Sequence, residues 1–275
     1  MAGLIEKIFK ITFTVLGFKI DFGNFVGTIR SLCNWNTITN TSILTLASKL
    51  HSEIVNIGLS LLTLFFLIDL TKKVMDFERL SWERVVFICI RFLIFKMLLE
   101  NSFELMSAII NISNDLLTKV TASLGAAASI PELATQMGDL VRNAGNFIER
   151  GFMGIIILIL YIPFMGTLVG ILVQIFLRIG KLILSFSFSP IPIAIGAWED
   201  GQSVCKRFFM STIALGIEAS MIVVASGIYS LALGTLKDAG SISTMIAIMF
   251  LNGFLMALIS LTSNLSEKWT GVNNG

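Results

Sequence analysis

The 27 residues from Gly151 to Leu177 carry no charge and stand between Arg150 and Arg178. About 20 apolar residues in helical form cross a bilayer core, so this run predicts a transmembrane helix. Pro163 lies inside it and can kink the helix without ending it, because membrane helices re-satisfy the freed backbone groups from their neighbours. A second uncharged run, Leu182–Trp198, is interrupted by Pro190 and Pro192. Together the two runs fix the solvent of the chain before any chemistry is considered. They predict an all-α, polytopic helix bundle, a multi-pass integral protein of the cell membrane.

Charge usage agrees. Charged residues make up 14% of the chain, against about 25% in soluble domains. The 20 basic and 18 acidic residues nearly cancel to +2, so net charge implies no particular partner. Cys33, Cys89 and Cys205 are scattered without CxxC spacing, which argues against a disulfide framework or a zinc site. The single His51 argues against a multi-histidine metal or haem site and reads as an interfacial residue just before a span. No metal or cofactor is expected. GxSxG, HExxH and Walker-type motifs are absent from the sequence, and no enzymatic activity is expected.

Five organisational regions follow. Residues 1–53 read as an N-terminal interfacial region: Met1–Asp21 is expected to be an amphipathic helix rather than a cleavable signal, and Phe22–Lys49 a polar connector. Residues 54–113 hold a first pair of helices, with spans at Ile54–Asp69 and Trp82–Ser102. Residues 114–150 read as an extracytoplasmic helical loop, with Pro131 marking a helix start. Residues 151–261 form the main bundle, with spans at Gly151–Leu177, Phe208–Leu236 and Ser241–Leu261 and a proline-broken segment at 182–198. Residues 262–275 are a tail.

Lysine and arginine placement sets orientation. Lys72, Lys73, Arg79 and Arg84 follow the first span, and Arg178, Lys181, Lys206 and Arg207 flank the broken segment. Both groups lie in the cytoplasm if Leu182–Trp198 does not fully cross, which gives five spans; a complete crossing gives six.

Charges inside apolar runs are costly, about 2.5–3.5 kcal/mol at the bilayer centre on insertion scales. Arg91 and Lys96 interrupt the second span, and Lys96, Glu100 and Glu104 share one helix face at four-residue steps. Either this face, with Arg91, lines a polar path, or the basic groups are neutralised in the bundle, Arg91 by Asp69 or Glu218. Glu218 sits between Gly216 and Ser220, a small-xxx-small pair that permits close helix contact. A proton relay, a structural pairing and a pore-wall contact all fit it. The candidate polar path is therefore Arg91, Lys96, Glu100 and Glu218.

The run Ser189-Pro190-Ile191-Pro192-Ile193-Ala194 leads into Gly196-Ala197-Trp198-Glu199-Asp200-Gly201. Lys206-Arg207-Phe208-Phe209, Ala214-Leu215-Gly216-Ile217-Glu218 and Gly227-Ile228-Tyr229 follow. In order and spacing this resembles the TrbL-type conjugal transfer proteins, the polytopic membrane channel subunit of type IV secretion systems, in the variety carried by Gram-positive conjugative elements. The resemblance covers Ile54–Leu236 and departs from the family pattern at Glu218, where an uncharged amide is expected. It implies a subunit that forms or scaffolds a translocation channel for single-stranded DNA and its relaxase. It also implies an oligomer within a complex, beside coupling and assembly ATPases, in contact with membrane lipid and transiently with single-stranded DNA. Backbone freed at a proline break must face protein or water, so Pro190, Pro192, Trp198, Glu199 and Asp200 form the candidate junction between channel and energiser. Two other classes stay open: an ion- or proton-coupled transporter using Arg91, Lys96 and Glu218, and a structural membrane assembly factor in which buried charges only pair.

Overall fold

The computed structural model describes residues 12–15, 17–21, 24–39, 42–75, 82–124, 147–235 and 242–272. Most of these residues are helical. Four helical stretches are long and apolar enough to cross a membrane: Ser42–Lys72, Tyr161–Phe188, Gln202–Thr235 and Ile246–Trp269. The chain divides into two compact units. One comprises Met1–Thr41, Asn114–Arg178 and Glu218–Leu265; the other comprises Ser42–Ser113, Ile179–Ile217 and Ser266–Gly275.

The first unit begins with a hairpin, β1 (Thr12–Val15) and β2 (Phe18–Asp21), antiparallel in the register Thr12↔Asp21 to Val15↔Phe18. Gly17 turns the chain with φ of 86°, a conformation that glycine adopts without a Cβ clash. Alternation puts Phe18 and Ile20 in the interior and Lys19 outside. This hairpin corrects the amphipathic helix expected over Met1–Asp21: β-branched Thr12, Thr14, Val15 and Ile20 flank the turn glycine and favour extended chain. Met1–Ile11 lies outside the described residues.

Asn24 caps helix α1 (Phe25–Cys33), its Oδ1 accepting from the Gly27 N–H at 3.2 Å, and α2 (Trp35–Thr39) follows. The described part of the expected polar connector over Phe22–Lys49 is thus helical. Phe25, Val26, Ile29, Leu32 and Cys33 recur at helical spacing and are buried, while Asn24 and Asn34 cap the helix. The Trp35 N–H donates to Asn114 Oδ1 at 2.9 Å.

Helix α3 (Ser42–Met75) extends the predicted span Ile54–Asp69 at both ends. Helices α4 (Trp82–Glu100) and α5 (Ser102–Ser123) meet at a single turn residue, Asn101, across which the Asn101→Met97 and Leu105→Asn101 backbone bonds persist at 3.1 and 3.0 Å. The 114–150 loop is corrected accordingly, because its first part, through Ser123, continues α5. The helix start at Pro131 lies outside the described residues.

Helix α6 (Phe147–Phe188) runs through Pro163 and continues past Arg178 and Lys181. The broken segment 182–198 is therefore not one element: Leu182–Phe188 closes α6, and the interruption falls on Ser189. Helix α7 (Pro190–Gly196) then carries its prolines in the first turn, where a missing N–H costs no bond. Helix α8 (Gln202–Thr235) and helix α9 (Ile242–Trp269) complete the chain. The tail 262–275 is helical through Trp269 and ends in a Schellman-type cap, with Gly271 at φ 71° and the Val272 N–H on Glu267 O at 3.0 Å.

Candidate functional site

In the second unit, α3 and α4 pack antiparallel. Asp69 meets Arg91 near one end, a Cβ on Gly58 would stand 3.1 Å from Leu99 Cδ1, and His51 Nε2 lies 2.8 Å from Ser102 Oγ near the other end. Helix α7 sits in the groove between them. Leu62 and Leu99 from the pair, Ile193, Ala194 and Ala197 from α7 and its turn, and Cys205 from α8 form the buried cluster. Gly58 makes room for this seating, since a Cβ there would approach Pro190 Cβ to 2.9 Å.

Beyond α7 the chain makes successive tight turns. The Trp198 N–H bonds to Ile195 O at 3.1 Å, and the Gly201 N–H to Trp198 O at 3.1 Å. Any side chain at Gly201 would collide with the Ile195 carbonyl oxygen, so glycine is required where the turn closes on α7.

Charged and aromatic side chains from α3 and α4 hold this turn. Arg91 lies 3.8 Å from Asp69, with side chains only 12% and 6% exposed, and its Nη2 donates to Gly196 O at 3.4 Å. The guanidinium thus faces a carbonyl at the C-terminal end of α7, where the helix dipole favours a cation. One turn further along α3, Lys72 lies 5.1 Å from the Trp198 ring centroid and 3.9 Å from Asp200. Phe65 stacks on the same indole, centroids 5.8 Å apart and planes 3° from parallel. Lys72 and Asp200 are more than half exposed, so their ion pair contributes at most about 1 kcal/mol; the cation–π and stacking contacts set the indole's position.

The sequence-predicted residues therefore do not converge on one place. Pro190, Pro192 and Trp198 come together with Asp200 and exposed Glu199 in the α7 turn. Arg91 takes Asp69 as its counter-ion. Lys96 and Glu100 pair along α4 at 3.8 Å, both nearly half exposed. Glu218 belongs to the first unit, buried on α8, where it and the buried Arg178 act electrostatically on the Cys33 thiol. Burial pushes that thiol up to about 11, with Arg178 lowering it and Glu218 raising it. Close packing at Gly216 is present: a Cβ there would collide with Ser113 Oγ of α5.

His51 is buried within the second unit. Ser102 Oγ donates to Leu99 O at 2.7 Å, so it accepts from the Nε2–H of His51, and the imidazole sits edge-on to Phe103. Sequence reasoning missed Phe65, Lys72 and Gly58 as partners of the turn. The available signal was that Asp69 and Lys72 close an apolar run at one-turn spacing, and that Gly58 interrupts one.

No protein family, curated protein or solved structure matches the chain.

Proposed function

We propose that this chain is a multi-pass membrane subunit of a conjugative type IV secretion system, forming or scaffolding the channel through which single-stranded DNA and its relaxase pass. The residues from Ser189 to Tyr229 carry the resemblance. The observation that weighs most is the α7 turn: a proline-started helix seated between α3 and α4, with Trp198 clamped by Phe65 and Lys72 and the exposed Glu199 and Asp200 presented beside it. In the five-span arrangement α4 is a crossing helix in addition to the four apolar ones, and the turn faces the cytoplasm, where the coupling and assembly ATPases act.

The test is a mating assay in a strain lacking this gene, complemented with wild type, with Glu218→Gln, or with Pro190→Ala and Pro192→Ala together. Deletion is expected to stop transfer, and wild type to restore it. The double proline variant is expected to insert in the membrane at wild-type level without restoring transfer. Unchanged transfer in the deletion strain would remove the secretion reading. Rescue by Glu218→Gln would show that the carboxylate's charge is dispensable.

A further inference from the structure

Helix α8 opens with two adjacent cations and no carboxylate to answer them. Lys206 and Arg207 are exposed, and the first turn of the helix holds no acidic residue. Among the described residues, neither cation has an ion-pair or hydrogen-bond partner. Asp200, in the preceding turn, is directed to Lys72 at 3.9 Å instead. Two like charges near the positive end of a helix dipole repel each other and the dipole. An anion from outside the chain offsets that repulsion.

The pair stands at the edge of an apolar span. Helix α8 is one of the four helices long and apolar enough to cross a membrane, and it carries no charge from Phe208 to Ile217. Phe208 and Phe209, half-buried with ring centroids 5.7 Å apart, begin the apolar part. On the other side of the cations, Gln202 and Ser203 are exposed. Gln202 lies four residues before Lys206, and Ser203 four before Arg207, so each polar residue shares a helix face with a cation. One exposed turn therefore offers an amide, a hydroxyl, an ammonium and a guanidinium, with lipid-facing surface directly beyond it. That donor set suits a phosphate oxygen pair.

We propose that the opening turn of α8 binds an anionic phospholipid, its phosphate held by Lys206 and Arg207 and its acyl chains lying along the helix beyond Phe208. This rests on the reading of α8 as a crossing helix and not on the secretion reading. Single-stranded DNA offers the same phosphate, but its bases need aromatic faces on which to stack. The indole of the preceding turn, Trp198, is already engaged by Phe65 and Lys72. Charge without a stacking surface, placed where an apolar span begins, matches a headgroup above hydrocarbon.

Native mass spectrometry of the full chain, released from detergent with dioleoylphosphatidylglycerol or dioleoylphosphatidylcholine, reads the contact. The two lipids share phosphate and acyl chains and differ in net charge. Phosphatidylglycerol is expected to bind more tightly. Lys206→Gln with Arg207→Gln is expected to weaken it about 30-fold, the factor that two charges near an anionic surface supply. The charge-keeping exchange, Lys206→Arg with Arg207→Lys, is expected to retain binding, which separates lost charge from lost folding. Lys49→Gln with Lys268→Gln removes the same charge from other exposed positions and is expected to leave the affinity unchanged.

Equal weakening by the Lys49 and Lys268 pair would reduce the effect to net charge and overturn the proposal. Equal affinity for phosphatidylcholine would do the same, leaving only acyl-chain contact. Displacement of the lipid by millimolar inorganic phosphate would assign the cations to a free anion. Tighter binding of oligothymidylate, lost in the Lys206→Gln and Arg207→Gln variant, would assign them to single-stranded DNA. The affinity is read on the purified chain, so a mating assay that removes the secretion reading leaves this result unaffected.

Discussion

At the scale of single residues, the site is decided by which charges find partners. Arg91 and Asp69 are both nearly buried, and such a pair is worth most when one member is taken away. Asp69→Ala is expected to destabilise the detergent-solubilised protein by about 3–5 kcal/mol, because it strands a buried guanidinium. Replacing both, with Asp69→Leu and Arg91→Met, is expected to recover most of that loss. Thermal unfolding of the three proteins checks the order, and a double variant as unstable as Asp69→Ala would mean that the Arg91 bond to Gly196 O matters more than the pair. Cys33 gives a pH-dependent prediction. Its thiol is raised to about 11 in the fold from 9.0 when unperturbed, so the neutral form is what the folded interior accepts. The stabilisation is full below pH 9.0 and is lost as pH rises toward about 11. At pH 8 the Cys33 peptide is expected to stay unmodified by maleimide in the native protein and to react after unfolding; mass spectrometry of that peptide checks it.

At the scale of elements, the α6–α7 break follows from missing donors rather than from an unusual backbone. Ser189 already has helical dihedrals, φ −53° and ψ −32°. Pro190 and Pro192 lack the N–H groups that would bond back to Phe186 and Phe188, and Ser189 Oγ donates to Phe186 O instead, at 3.0 Å. Restoring both donors with alanine is expected to fuse α6 and α7 and pull the Trp198 turn off its clamp. Hydrogen–deuterium exchange should then slow across residues 186–196 and speed up across 197–201; unchanged exchange in both would show that α3 and α4 alone impose the break. Gly201→Ala attacks the same turn from its other end. It forces a methyl group against the Ile195 carbonyl, an overpacking that costs about 1–3 kcal/mol, measurable as a lowered Tm.

At the scale of the whole molecule, helix length exceeds what a bilayer core requires. Helix α6 has 42 residues, about 63 Å at 1.5 Å per residue, against a core of about 30 Å. Its ends therefore extend beyond the hydrocarbon on at least one side, which makes loop position a sharper test of topology than span length. In the five-span arrangement, alkaline phosphatase fused after Pro131 is expected to be active, and the same reporter fused after Lys73 inactive. The reverse pattern would invert the molecule and move the Trp198 turn away from the cytoplasm.

What the sequence determined by itself was the solvent and the helical class. Charge-free runs such as Gly151–Leu177 need no partner to be read, because the physics that selects them is transfer from water. The interruption near Pro190 and the close approach at Gly216 were legible for the same reason: missing atoms act locally. Helical burial in α1 was obscured by Asn24 and Asn34, which proved to be its caps, and the hairpin at Thr12–Asp21 by Lys19, which sits on its outer face. Only the tertiary structure decided that Arg91 takes Asp69, that Lys72 and Phe65 hold Trp198, and that His51 bonds Ser102 in the interior. Those pairs join residues from 22 to 133 positions apart. The geometry that selects one counter-charge over another exists only after the helices have packed.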